Sequence, residues 1–282
     1  MPTIVLLLLV VACYTITSLN DKYAVSKAKL TGDRMTFIMA AATSVFMLFI
    51  LPFSDRNCAF TPLTILFIIL LFLSKLFEFL MSAKILTELS AFELKAWLGT
   101  VMFLSYFTDI LMGTGTFTAA KTLCIALTAI GLIMIAASGK RNINYKRIAL
   151  PLILYLASKY GYGLTVTAIN ADGSISPTMA LFFALILLAI VLLPKTGIKE
   201  LIKEKPKETA IVALAKLPNA FGLLLENAII AVSMVQYSFI QPLIIIVLFV
   251  ISLINREKYS KTNFAGSLIC IAGILLFQVC SL

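Results

Sequence analysis

The chain has 282 residues, of which 61% are hydrophobic and 13% charged. Its mean hydropathy is +1.05. Soluble domains carry about 25% charged residues and under half apolar ones, so this composition predicts an all-α integral membrane protein. The net charge of +10 fits basic loops held at an anionic membrane surface, and nucleic acid is not expected as a partner.

Ten apolar runs follow one another, near 3–19, 35–52, 62–83, 92–111, 117–138, 148–168, 176–193, 209–228, 233–253 and 263–281. They are continuous rather than alternating, which predicts helices and excludes a barrel. The opening "MPTIVLLLLVVACYT" has the look of a signal segment, with Val10-Val11-Ala12-Cys13 resembling a lipoprotein site. No basic residue precedes it and no soluble stretch follows, so it reads as the first span. The polar-spotted "ELSAFELKAW" reads as a junction between the third and fourth spans.

Loops after odd-numbered spans, with the junction residue Lys95 counted among them, hold eighteen of the 23 Lys and Arg residues, including Lys140, Arg141, Lys146 and Arg147. Loops after even-numbered spans hold Arg56 and Lys121. The positive-inside rule predicts that the odd loops are cytoplasmic and both termini outside, in a cell (inner or plasma) membrane. Histidine is absent, which removes His-based relays, metal ligands and Ser-His or Cys-His catalytic groups. Cys13, Cys58, Cys124, Cys270 and Cys280 show no CxxC spacing and read as small buried thiols. Neither a metal, a cofactor nor an enzymatic activity is expected.

Two segments repeat. "KTLCIALTAIGLIMIAASGK" and "KTNFAGSLICIAGILLFQ" share a Lys-Thr entry, a small-residue face and a late glycine, Gly131 and Gly273. The stretches upstream of each also run in parallel. This predicts two five-helix repeats, 1–139 and 140–282, the second inverted because five is odd, around a central cavity.

The tail "FIQPLIIIVLFVISLINREKYSKTNFAGSLICIAGILLF" carries Pro242, Glu257, Gly266 and Gly273. In this it resembles the drug/metabolite transporter superfamily, EamA type. The first-half counterpart keeps Ala83, Ser90 and Ala91 but has Thr100 in place of the proline and Gly115 or Thr116 in place of the acidic residue. The resemblance implies a ten-helix transporter working by alternating access, and it implies no particular solute. Members of that superfamily usually keep both termini in the cytoplasm, opposite to the loop charges here.

Charges deep in spans cost at least about 2.5–3.5 kcal/mol each on insertion scales, which makes them site candidates. Lys75, Glu78 and Ser82 share one stripe of the third span. Tyr155, Lys159 and Tyr162 do so on the sixth, and Lys216, Asn219 and Glu226 on the eighth. Lys75–Glu78 also reads as a self-contained i,i+3 pair holding two helices together. Three lysines against one or two carboxylates predict a cationic cavity for a small anionic or zwitterionic solute, such as an amino acid or phosphorylated metabolite. Lys159 and Lys75 are expected to touch the solute, with Glu78 tuning them and a proton or counter-solute as coupling partner. Gly161, Gly163, Pro218 and Gly222 lie beside these charges as candidate joints. A monomer is the favoured state. The alternatives are a non-transporting scaffold or accessory subunit, or a translocase of lipid substrates.

Overall fold

The computed structural model describes residues 3–30, 32–53, 57–111, 117–137, 145–197, 203–232, 240–254 and 260–280. Glu257, Gly115, Thr116 and the junction at 138–144 lie outside the described residues. A helix stands at each of the ten predicted apolar runs, and two of the ten are interrupted. In chain order the segments are α1 (Thr3–Ser26), α2 (Gly32–Ile50), α3 (Pro62–Glu88), α4 (Ala91–Leu98), α5 (Val101–Leu111) and α6 (Ala119–Ala137). They continue as α7 (Tyr145–Asp172), α8 (Pro177–Thr196), α9 (Pro206–Leu214), α10 (Lys216–Val232), α11 (Ile240–Ile254) and α12 (Lys261–Val279). Among the described residues, five stretches are long and apolar enough to cross a membrane: Val5–Ser26, Gly32–Ile50, Pro62–Glu88, Pro177–Thr196 and Pro206–Ile230. The chain is therefore a multi-span helical protein by length and composition. Ala119–Ile135, Leu243–Ile254 and Lys261–Phe277 are shorter apolar helices.

Local chemistry sets the helix boundaries. Thr61 caps α3 by accepting from the Thr64 amide at 3.1 Å, and Ser176 caps α8 by accepting from Met179 at 3.2 Å; a proline follows each cap. The break between α9 and α10 falls at Ala215. Pro218 explains it: its ring nitrogen has no hydrogen to offer the Leu214 carbonyl four residues back, and the ring crowds that oxygen. The break between α4 and α5 falls at Gly99–Thr100, where the Thr100 amide and hydroxyl both turn to the Trp97 carbonyl, at 3.0 and 2.7 Å.

Ridges of small residues let α6 and α12 meet backbone to backbone. A Cβ on Gly131 would lie 2.5 Å from the Cys270 nitrogen, and one on Gly273 would lie 2.5 Å from Thr128 Oγ1. Other pairings include α3 with α7, α1 with α10, α2 with α8, α3 with α8, α2 with α10, α2 with α3, α1 with α11, α4 with α11, α1 with α3, α2 with α9 and α5 with α7. Outward faces carry Leu8, Phe49, Ile69, Ile133, Ile153 and Ile190, all well exposed, as a lipid-facing belt requires. Cys124 and Cys270 are buried as expected, whereas Cys58 and Cys280 are exposed.

At one end of the bundle the α2–α3 and α7–α8 loops clasp each other. Ala59 donates to the Ser174 carbonyl and Ser176 to the Asn57 carbonyl, each at 2.9 Å, with Cys58 directly opposite Ile175. Thr64 Oγ1 ties in from α3, donating to the Ala59 carbonyl at 2.8 Å and lying 3.1 Å from Ser174 Oγ. The clasp sits at the N-terminal end of α3 and the C-terminal end of α7.

Candidate functional site

A cavity of about 640 Å³, the open space at its mouth included, lies among α1, α2, α3, α4, α7, α10 and α11. Its charged lining comprises Asp21 from α1, Lys75 and Glu78 from α3, Lys95 from α4 and Lys159 from α7. It occupies the C-terminal part of α3 and the N-terminal half of α7, so it faces away from the clasp.

Glu78 stands at the centre of the charges. Lys75 Nζ donates to its Oε2 at 2.8 Å from one turn earlier, and Lys159 Nζ lies 2.5 Å from its Oε1. The residues are 8%, 1% and 8% exposed respectively, so three charges are taken out of water together. Such burial is tolerated where each oxygen of the carboxylate has its own ammonium. The Lys75 ammonium also lies 4.0 Å from the centre of the Tyr162 ring, a cation–π contact that adds to its desolvated cradle.

Tyr162 itself does not line the cavity. Its hydroxyl donates to Asn227 Oδ1 at 2.8 Å, fixing α7 to α10 beneath Lys75. Tyr155 and Lys159 do line it, as does Ser82 on the α3 stripe. The helix-3 stripe therefore meets the helix-6 stripe of the prediction, and Lys75, Glu78, Tyr155 and Lys159 come together as one group.

The third stripe is divided. Asn219 reaches the cavity and donates to Thr43 Oγ1 at 3.2 Å. Lys216 is fully buried and ion-paired to Asp21. Glu226 is fully buried behind Tyr14, whose hydroxyl donates to its Oε2, while Oε1 has no donor among the described residues. Neither Lys216 nor Glu226 lines the cavity, because α10 turns these side chains toward α1.

The cavity contains residues that the sequence reading missed. Tyr14, Thr17, Ser18 and Asp21 line it from α1, and their spacing of three to four residues was a visible stripe. Lys95 was grouped with the basic loops. The Ser90–Glu93 capping box shows why that fails: Ser90 Oγ accepts from the Glu93 amide at 3.1 Å and Glu93 Oε2 accepts from the Ser90 amide at 2.7 Å. The helix thus starts at Ala91 and places Lys95 one turn inside it. Among the described residues no three Cys, Asp or Glu side chains gather closely enough to hold a metal ion. No protein-family model and no curated protein matches this sequence.

Proposed function

We propose that this protein is a secondary transporter that moves a small polar metabolite, anionic or zwitterionic, across a cell membrane by alternating access. The observation that carries the reading is the gathering of Lys75, Glu78, Lys159, Lys95 and Asp21 from four helices in one cavity facing a single end of the bundle. Buried ion pairs are neutral or costly for stability, so charges kept at membrane depth point to a solute path.

The packing pattern supports the inverted repeat, with halves 1–139 and 140–282. Count the ten helices in chain order, taking α4–α5 and α9–α10 as one each. Exchanging every helix with the one five places on turns the α3–α7 pairing into α10–α1, α3–α8 into α10–α2, and α5–α7 into α11–α1. The α2–α8, α4–α11 and α6–α12 pairings map onto themselves. Both members of the first exchanged pair carry a buried ion pair: Lys159–Glu78 between α3 and α7, Lys216–Asp21 between α1 and α10. A cavity between such halves is the usual place for a transported solute. The resemblance to the EamA-type drug/metabolite transporters agrees with this architecture.

The loop charges favour an orientation with the cavity mouth on the cytoplasmic side and the clasp outside. A single cysteine at Lys146 tests this by labelling of intact cells; protection from an impermeant reagent is expected, and ready labelling reverses the orientation. The transport reading is tested by counterflow in proteoliposomes loaded with pooled small metabolites. Exchange in the wild type and its loss in Lys159→Ala are expected. Failure of every pooled solute to exchange, with Lys159→Ala indistinguishable from wild type, leaves the scaffold or lipid-translocase reading.

A further inference from the structure

The lining charges are not equally occupied. Glu78 takes both Lys75 and Lys159, and Asp21 takes Lys216 from behind the wall. Lys95 is the exception. It is half-buried, lines the cavity and has no ion pair among the described residues. On α11, which packs on α4, Gln241 also lines the cavity, and its buried Oε1 has no hydrogen-bond donor among the described residues.

The charge balance agrees. Lys75, Lys95 and Lys159 against Asp21 and Glu78 leave one positive charge on the lining. Adding the two further buried charges behind the wall, Lys216 and Glu226, leaves that excess unchanged. One bound negative charge neutralises the cavity, and a dianion or a cation would leave it unbalanced in a low-dielectric site. An open acceptor on the same lining calls for an N–H or O–H on the solute, since a buried polar atom left without a partner is costly.

We infer that Lys95 and Gln241 form the solute-recognition subsite, and that it takes a small monoanion bearing a hydroxyl donor. The anionic group sits on the Lys95 ammonium and the hydroxyl donates to Gln241 Oε1. Lys75 and Lys159 then act as positioning residues that hold Glu78 and the α3–α7 wall. This deepens the transport reading and rests on the cavity being its solute site.

The test is ligand stabilisation of the purified full-length protein, read as a shift of the thermal unfolding midpoint. The probes are lactate and glycerate as hydroxylated monoanions, propionate without the hydroxyl, glycine as a zwitterion, succinate as a dianion and choline as a cation. Lactate or glycerate should raise the midpoint, propionate less, and choline not at all. Lys95→Gln should weaken the response roughly tenfold to a hundredfold in concentration. Lys95→Arg should retain it, and Gln241→Leu should erase the preference over propionate. No shift with either hydroxylated monoanion, an equal shift with choline, or an unchanged response in Lys95→Gln overturns the inference. The two readings fail separately. Binding without counterflow removes transport and leaves the subsite; counterflow indifferent to Lys95→Gln removes the subsite and leaves transport.

Discussion

Lys159 on α7 reaches across to Glu78 on α3, with Nζ and Oε1 2.5 Å apart and both side chains about nine-tenths buried. One carboxylate therefore answers two ammonium groups, since Lys75 holds its other oxygen. Removing the carboxylate takes an ion partner from two buried cations at once, whereas removing Lys159 leaves a paired Lys75 and Glu78. Glu78→Gln should therefore lower the unfolding midpoint more than Lys159→Met, with a loss of about 3–5 kcal/mol typical of breaking a buried pair. Thermal unfolding of both variants in one detergent checks this, and the reverse order contradicts the assigned pairing.

The Lys216–Asp21 pair ties α10 to α1 directly after the α9–α10 break. Asp21→Asn alone leaves a fully buried lysine without its counter-charge, at a cost of about 3–5 kcal/mol. The double variant Asp21→Asn/Lys216→Met should recover most of that loss. A double-mutant cycle with strictly additive effects would show that the two residues do not interact.

The α6–α12 contact depends on the absence of side chains. Gly131→Ala and Gly273→Ala each drive a Cβ to 2.5 Å from a neighbouring heavy atom, and overpacking of this kind costs about 1–3 kcal/mol. Gly32→Ala is the control, because nothing lies within 4 Å of a Cβ there. It should be neutral or slightly stabilising. Equal midpoints for the three variants would mean that α6 and α12 are not packed backbone to backbone.

Much of this was legible in the sequence, and the reasons for the remainder are specific. Apolar run length marked every helix because lipid demands it, and Gly131 and Gly273 stood out as a repeated feature, although their role in the α6–α12 seam was not read from it. Pro218 marked the α9–α10 break. Nothing in "WLGTVM" distinguished the Gly99–Thr100 break from an ordinary membrane glycine. The stripes Lys75–Glu78–Ser82 and Tyr155–Lys159 were visible from helical period alone. Their partners were not, because the α3–α7 and α1–α10 pairings join residues far apart in the chain. Thus Lys216 looked like a cavity cation until Asp21 was seen beside it. Lys95 was hidden in a segment whose polar residues imitate a loop, although Ser90 and Glu93 spelled out a capping box.

The proposal of alternating access, in which the clasp must open at the end opposite the cavity mouth, meets its most direct test at Cys58 and Ile175. They face each other across an antiparallel bridge whose flanking residues make the hydrogen bonds, the arrangement that brings side chains closest. Ile175→Cys should form a disulfide with the native Cys58 under mild oxidation. Counterflow in proteoliposomes should stop when the bond forms and return when it is reduced. A cross-linked protein that exchanges solute at the wild-type rate would contradict the account.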